Sequence, residues 1–125
     1  MKKKKILLVD DDVVLTQILK SALERSGGYE VQYVNEGMKA MAVIRSFGPD
    51  LIVLDVQMPD IQGDKLCAAI ESDPVIGNTP IIFLTAMASD GEMRSGIAVG
   101  NHPTMGKPIH MEKLIECIEK KISGR

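Results

Sequence analysis

Short apolar runs alternate along this chain with longer stretches in which apolar residues recur every three or four positions. That alternation predicts βαβ units and a parallel sheet. The first strand is expected from Lys4 to Asp10. Asp12 is then placed to cap a helix whose inward face carries Val14, Leu15, Ile18, Leu19, Ala22 and Leu23, stopped by Gly27-Gly28. A second strand, Tyr29 to Val34, leads into a helix from Gly37 to Phe47 with Met38, Met41, Ala42 and Ile44 as apolar positions, ended by Gly48-Pro49. The third strand, Asp50 to Asp55, is apolar at nearly every position, as expected of a central strand covered on both faces.

The second half of the chain continues the pattern with weaker signals. A helix is expected from Asp64 to Ser72, ending before Pro74, and a fourth strand from Pro80 to Leu84, delivering Thr85 to its end. Gly91 and Gly96 each cost about 1 kcal/mol relative to Ala inside a helix. The segment from Ala86 to Val99 is therefore expected to be short or mobile. The fifth strand, Asn101 to Met105, contains Pro103, which cannot donate to a sheet ladder and so argues for an edge. The last helix, Met111 to Ile122, places Leu114, Ile115, Ile118 and Ile122 on one face. The fold class read from these elements is α/β, a doubly wound parallel sheet built as a (βα)5 unit, with residues 1–125 forming one domain.

Composition narrows the function classes. With 45% hydrophobic residues in 125, the chain can bury a substantial core. A net charge of -2 gives no reason to expect nucleic-acid binding, and the Lys2 to Lys5 run reads as a solvated end. No apolar stretch reaches the roughly 20 residues of a membrane span or the roughly 7 to 15 of a signal-peptide core. The expectation is a cytoplasmic protein with no membrane partner. Cys67 and Cys117 sit among apolar helical positions, which suits reduced, buried thiols without a metal or redox role. His102 and His110 show no carboxylate or cysteine at ligand spacing and are read as surface residues.

The chemistry gathers at one edge of the predicted sheet. Strands one, three, four and five end in Asp10-Asp11, Asp55, Thr85 and Lys107, and ligands of open parallel sheets bind beyond those carboxyl ends. Clustered carboxylates raise one another's pKa unless a cation neutralises them. Hard oxygen donors beside a phosphoryl group suit Mg2+, and Lys107 can hold a phosphoryl oxygen opposite it. An Asp so placed can carry an aspartyl phosphate. Asp55, alone at the end of a central strand, is the better nucleophile, which leaves Asp10 and Asp11 to the metal. Taken singly, an Asp-Asp pair is usually a solvated turn or a cap and a Thr after a strand usually nothing. Their joint order is what carries the reading.

Four motifs make the chain resemble the receiver domain of bacterial two-component response regulators, over Lys4 to Lys121. They are the run from Ile6 to Asp12, the run from Leu51 to Asp60 with Gly63, Phe83-Leu84-Thr85-Ala86, and Gly106-Lys107-Pro108. The resemblance implies a flavodoxin-like strand order 2-1-3-4-5. It implies that Asp55 accepts phosphate from the phosphohistidine of a histidine kinase or phosphotransfer protein and signals to a downstream effector, with a phosphorylation-dependent homodimer among the outputs. By the same resemblance Mg2+ is held by Asp11, Asp55 and the backbone carbonyl of Gln57, with Asp10 assisting through water. Thr85, Lys107 and the backbone of Ala86 and Val56 contact the phosphoryl group, and the Lys107-Pro108 bond is cis. Phosphoryl transfer to Asp55 and slow self-hydrolysis are then the only reactions, without turnover as an enzyme.

One departure stands out. Receivers usually carry Tyr or Phe three residues before the lysine, and this chain has Thr104. The switch pair is therefore read as Thr85 and Thr104, with output through ordering of the Ala86 to Val99 segment and the Thr104 strand. Met87, bulky and two residues beyond Thr85, is expected to slow self-hydrolysis. The alternative function is a receiver-like interaction module independent of phosphorylation. A phosphatase of the haloacid dehalogenase type fits less well, because Gln57 stands where its second aspartate would be. Nucleotide-binding glycine loops are not present after any strand.

Overall fold

The computed structural model describes residues 2–85, 98–99 and 102–123. Strand β1 (Lys4–Val9) is followed by helix α1 (Val13–Ser26), β2 (Tyr29–Val34), a 3-10 turn (Gly37–Lys39) running into α2 (Ala40–Phe47), and β3 (Leu51–Asp55). Then come α3 (Gly63–Glu71), β4 (Ile81–Thr85), β5 (Ala98–Val99), β6 (His102–Gly106) and α4 (Met111–Ser123). The strands lie in the order β2-β1-β3-β4-β6-β5. All pairings from β2 to β6 are parallel, so β6 is the fifth strand of the flavodoxin-like order 2-1-3-4-5.

The alternation of side chains along these strands builds two cores. Leu7, Val9, Ile52, Leu54, Ile81 and Phe83 face α2 and α3, where they meet Ile44, Phe47, Leu66 and Ile70. Their sequence neighbours Ile6, Leu8, Leu51, Val53, Ile82 and Leu84 face α1 and α4, against Leu19, Leu23, Leu114 and Ile118. Strands buried on both faces in this way read as continuous apolar runs.

Several expectations change. On α1, Val14 and Ile18 are 64% and 57% exposed, while polar Thr16 is fully buried. Thr16 is compatible with burial because its hydroxyl donates to Val13 O and accepts from Asn35 Nδ2. Met38, expected as an apolar position within a helix from Gly37, lies instead in the 3-10 turn and is 68% exposed. The fifth parallel strand is not the sheet's edge. The two-residue β5 pairs with it antiparallel, Ala98 opposite Pro103, so the end of the Ala86 to Val99 segment is a strand and the Thr104 strand is already paired on both sides. Pro103 is accommodated because it lies outside the parallel register with β4, which runs from Thr104 to Gly106. The rest of that segment, including Ala86, Met87, Gly91 and Gly96, lies outside the described residues. No helix among the described residues is long and apolar enough to cross a membrane.

Candidate functional site

The carboxyl edge of the sheet assembles the predicted residues from the chain's own local rules. β1 ends in Asp10, whose N–H bonds Val34 O and whose carbonyl accepts from Asn35 Nδ2 at 2.8 Å. Asp10 Oδ1 accepts the N–H of Asp12 at 2.9 Å, and Asp12 in turn caps α1 by accepting from Leu15 N. The acidic run therefore divides its labour: Asp10 is buried, Asp11 exposed, and Asp12 is a helix cap. Asn35, 25 residues away on the β2 exit, is a positioning residue that no motif spacing reveals.

Asp55 closes β3 and is 3% exposed. Gly63 begins α3 directly beneath it, donating its N–H to Val56 O at 2.7 Å. A Cβ on Gly63 would lie 2.7 Å from Val56 Cα, so only glycine lets α3 start this close to the end of β3. Oxygens of Asp10, Asp11 and Asp55 all lie within 4.8 Å of one another. Lys107 follows β6 through a cis bond to Pro108, and its N–H bonds Thr85 O at 2.9 Å. Its ammonium lies 2.9 Å from Asp10 Oδ2 and 3.6 Å from Asp55 Oδ2.

Electrostatics follow from that geometry. Burial, then repulsion from Asp10, push the Asp55 carboxyl up to about 7, against the opposing pull of the Gln57 N–H and Lys107. Burial works to lower the Lys107 pKa, but the carboxylates of Asp10, Asp55 and Asp11 outweigh it and hold the ammonium above its usual value. Asp10 Oδ2 is buried and, although it lies in ion-pair range of Lys107, accepts no hydrogen bond of good geometry. A tight group of three carboxylates balanced by one ammonium is a donor set that fits a hard divalent cation.

Thr85 is buried at the end of β4, level with Gly106 of β6. Thr104 lies opposite Phe83, and its Oγ1 is buried without a hydrogen-bond partner. The backbone of Val56, expected to face the phosphoryl group, spends its N–H on Leu84 O at 2.9 Å. The N–H that reaches the Asp55 carboxylate belongs to Gln57, at 3.2 Å.

One residue read as a surface histidine has a close partner. His102 Nε2 lies 2.7 Å from Glu71 Oε2, the histidine side chain is only 13% exposed, and its ring meets Phe83 edge-on. The expectation of a free surface histidine is corrected, because the partner comes from another element, 31 residues away.

Residues 6–119 match the family model described as "Response regulator receiver domain", and the chain belongs to that family. Among curated relatives it is 35% identical over 111 residues to the transcriptional regulatory protein TrcR of Mycobacterium tuberculosis, matching 89% of this chain and 42% of that protein. It is 30% identical to the dual master transcriptional regulator RpaA of Synechocystis, covering 89% and 46%. The chain thus spans less than half the length of these relatives. Among solved structures, the Francisella response regulator 1452 receiver domain superposes with TM-score 0.83 at 27% identity, covering 98% of each chain. The chemotaxis response regulator CheY4 of Vibrio cholerae gives 0.81 at 30% identity, covering 95% of this chain and 98% of that one. The family and the strand order together define the chain as a receiver module of two-component signalling.

Proposed function

We propose that Asp55 is the phosphoacceptor and that a histidine kinase or phosphotransfer protein is its donor. The observation that carries this is the position of Asp55: buried at the end of the central strand, with Asp10 and Asp11 oxygens within 4.8 Å and the Lys107 ammonium 3.6 Å away. An Asp55 oxygen forms a bond to phosphorus as the P–N bond to the donor imidazole breaks, and the freed imidazole nitrogen takes up a proton. Lys107 shifts from Asp10 toward a phosphoryl oxygen, and Thr85 offers its hydroxyl to another. Asp10, Asp11, Asp55 and the Gln57 carbonyl are the groups that would hold Mg2+, which when bound supplies positive charge against the transferring phosphoryl group. The backbone of Ala86 and Val56 completes the phosphoryl cradle, Val56 only after release from Leu84 O.

Output passes through β4 and β6. The buried Thr104 Oγ1 has an unmet hydrogen bond, on the strand beside Thr85. A shift of Thr85 toward the phosphoryl group would let β6 move and meet that need, in place of the ring rotation of aromatic-bearing receivers. The effector is a protein or a further domain, as the regulators TrcR and RpaA suggest, and a phosphorylation-dependent homodimer is one route to it. Residues 1–125 act as one cytoplasmic receiver domain, with no turnover as an enzyme and without touching nucleic acid or membrane itself. Acetyl phosphate with Mg2+ should add one phosphoryl mass to the chain, lost in Asp55→Asn and with EDTA. An intact mass unchanged in the wild type would favour the phosphorylation-independent module.

A further inference from the structure

The Cys67, Glu71 and His102 side chains converge on one point from two elements. One ligand atom of each lies within 4.8 Å of the other two. Cys67 and Glu71 are one turn apart on the same face of α3, and His102 opens β6. The thiol is buried, the carboxylate is half exposed, and the imidazole is held edge-on by Phe83. Glu71 accepts hydrogen bonds from both the thiol and the imidazole side. Protons thus fill the space between three groups, each of which can also bind a metal.

The geometry points to a Zn2+ site formed by Cys67 Sγ, a Glu71 carboxylate oxygen and a His102 ring nitrogen, with water as fourth ligand. Sulfur, nitrogen and oxygen together select a borderline-soft ion over Mg2+. With metal–ligand bonds of about 2.0–2.3 Å, tetrahedral donors stand about 3.4 Å apart. The 2.7 Å contact between His102 and Glu71 need only open slightly, and the half-exposed Glu71 side chain has solvent on one side into which to shift. Burial and the Glu71 carboxylate push the free thiol up to about 11, so the bound ion takes the place of its proton.

The site is separate from the phosphoryl pocket. α3 starts at Gly63 beneath Asp55 and ends at Glu71, while β6 starts at His102 and ends beside Lys107. The ion would pin together the far ends of the two elements whose near ends frame the pocket. The proposal does not depend on the assignment of Asp55.

The test uses the full chain, stripped with EDTA, desalted, and held in excess Mg2+ to occupy the carboxylate pocket. Titration with Zn2+ against a chromophoric chelator should give one ion per chain and a higher Tm. Co2+ should give a thiolate-to-cobalt charge-transfer band in the near ultraviolet. Cys67→Ser and His102→Gln should each weaken Zn2+ binding by about 100-fold or more, since even loss of a supporting partner costs about 10- to 100-fold. Cys117→Ser and His110→Gln should leave it unchanged. The cobalt spectrum of the wild type decides the matter even if a variant folds poorly. Absence of the band, or Zn2+ binding that survives both Cys67→Ser and His102→Gln, would overturn the proposal and leave a hydrogen-bonded His–Glu pair beside a buried thiol.

Discussion

β3 and β6 each bring a charged group to the same pocket, yet they are embedded very differently. β3 lies between β1 and β4 with all five residues buried, and it ends on Asp55. β6 is half-buried along most of its length, lies between β4 and the two-residue β5, and leads into Lys107. Asp55, the proposed phosphoacceptor, is therefore held by a strand buried along its whole length. The Lys107 ammonium, proposed to exchange partners, follows a strand with less apolar packing to lose. Elements that move in a switch come from this less stable end of a protein.

The sharpest way to break the comparison is to truncate one core residue on each strand. Leu54→Ala, at a fully buried position, should cost about 3–4 kcal/mol, whereas Met105→Ala on half-buried β6 should cost about 1 kcal/mol. Urea unfolding measures both, and equal losses would place the two strands on the same footing.

A smaller effect is expected from the charge that β3 carries. The Asp55 carboxyl is raised in the folded state from 3.8 to about 7, so the native protein binds the proton more tightly than the unfolded chain. The stability it contributes is complete below about pH 4 and lost as pH rises through 7. In EDTA, Asp55→Asn should gain about 2 kcal/mol at pH 7.5 and flatten the stability profile between pH 4 and 7. Chemical denaturation across that range checks it; a wild-type profile that rises with pH would reverse the sign.

The smallest effect concerns β6. Thr104→Val removes a buried hydroxyl that has no partner and keeps the shape, so the resting state should gain about 1 kcal/mol. If Thr104 serves output, the same variant should reduce the protection from hydrogen exchange that β6 gains with a phosphoryl analogue. An unchanged gain in residues 102–108 would remove Thr104 from the switch.

Much of this was readable in the residues themselves. Apolar runs located β1, β3 and β4, and the groups just beyond them, Asp10, Asp55 and Thr85, meet because parallel strands deliver their C-terminal ends to one edge. What escaped depends on contacts distant in sequence. Helical period cannot tell that Thr16 faces inward, because its burial depends on Asn35 across the β2 exit. Nor can spacing along α3 find His102, since the third member of that cluster arrives on β6, two places from β3 in the sheet order and 31 residues from Glu71. β5 has too few residues to show any period, and its existence rests on pairing with β6 alone.

Lys107 stands closer to Asp10 than to Asp55 in the resting pocket. On the proposed assignment, a phosphoryl group on Asp55 would have to win this cation from an existing partner. The lysine would complete the phosphorylated state only by leaving an ion pair that secures the unphosphorylated one. On that reading, switching would be an exchange between two ion-paired arrangements, and such a balance is biased by modest differences in binding.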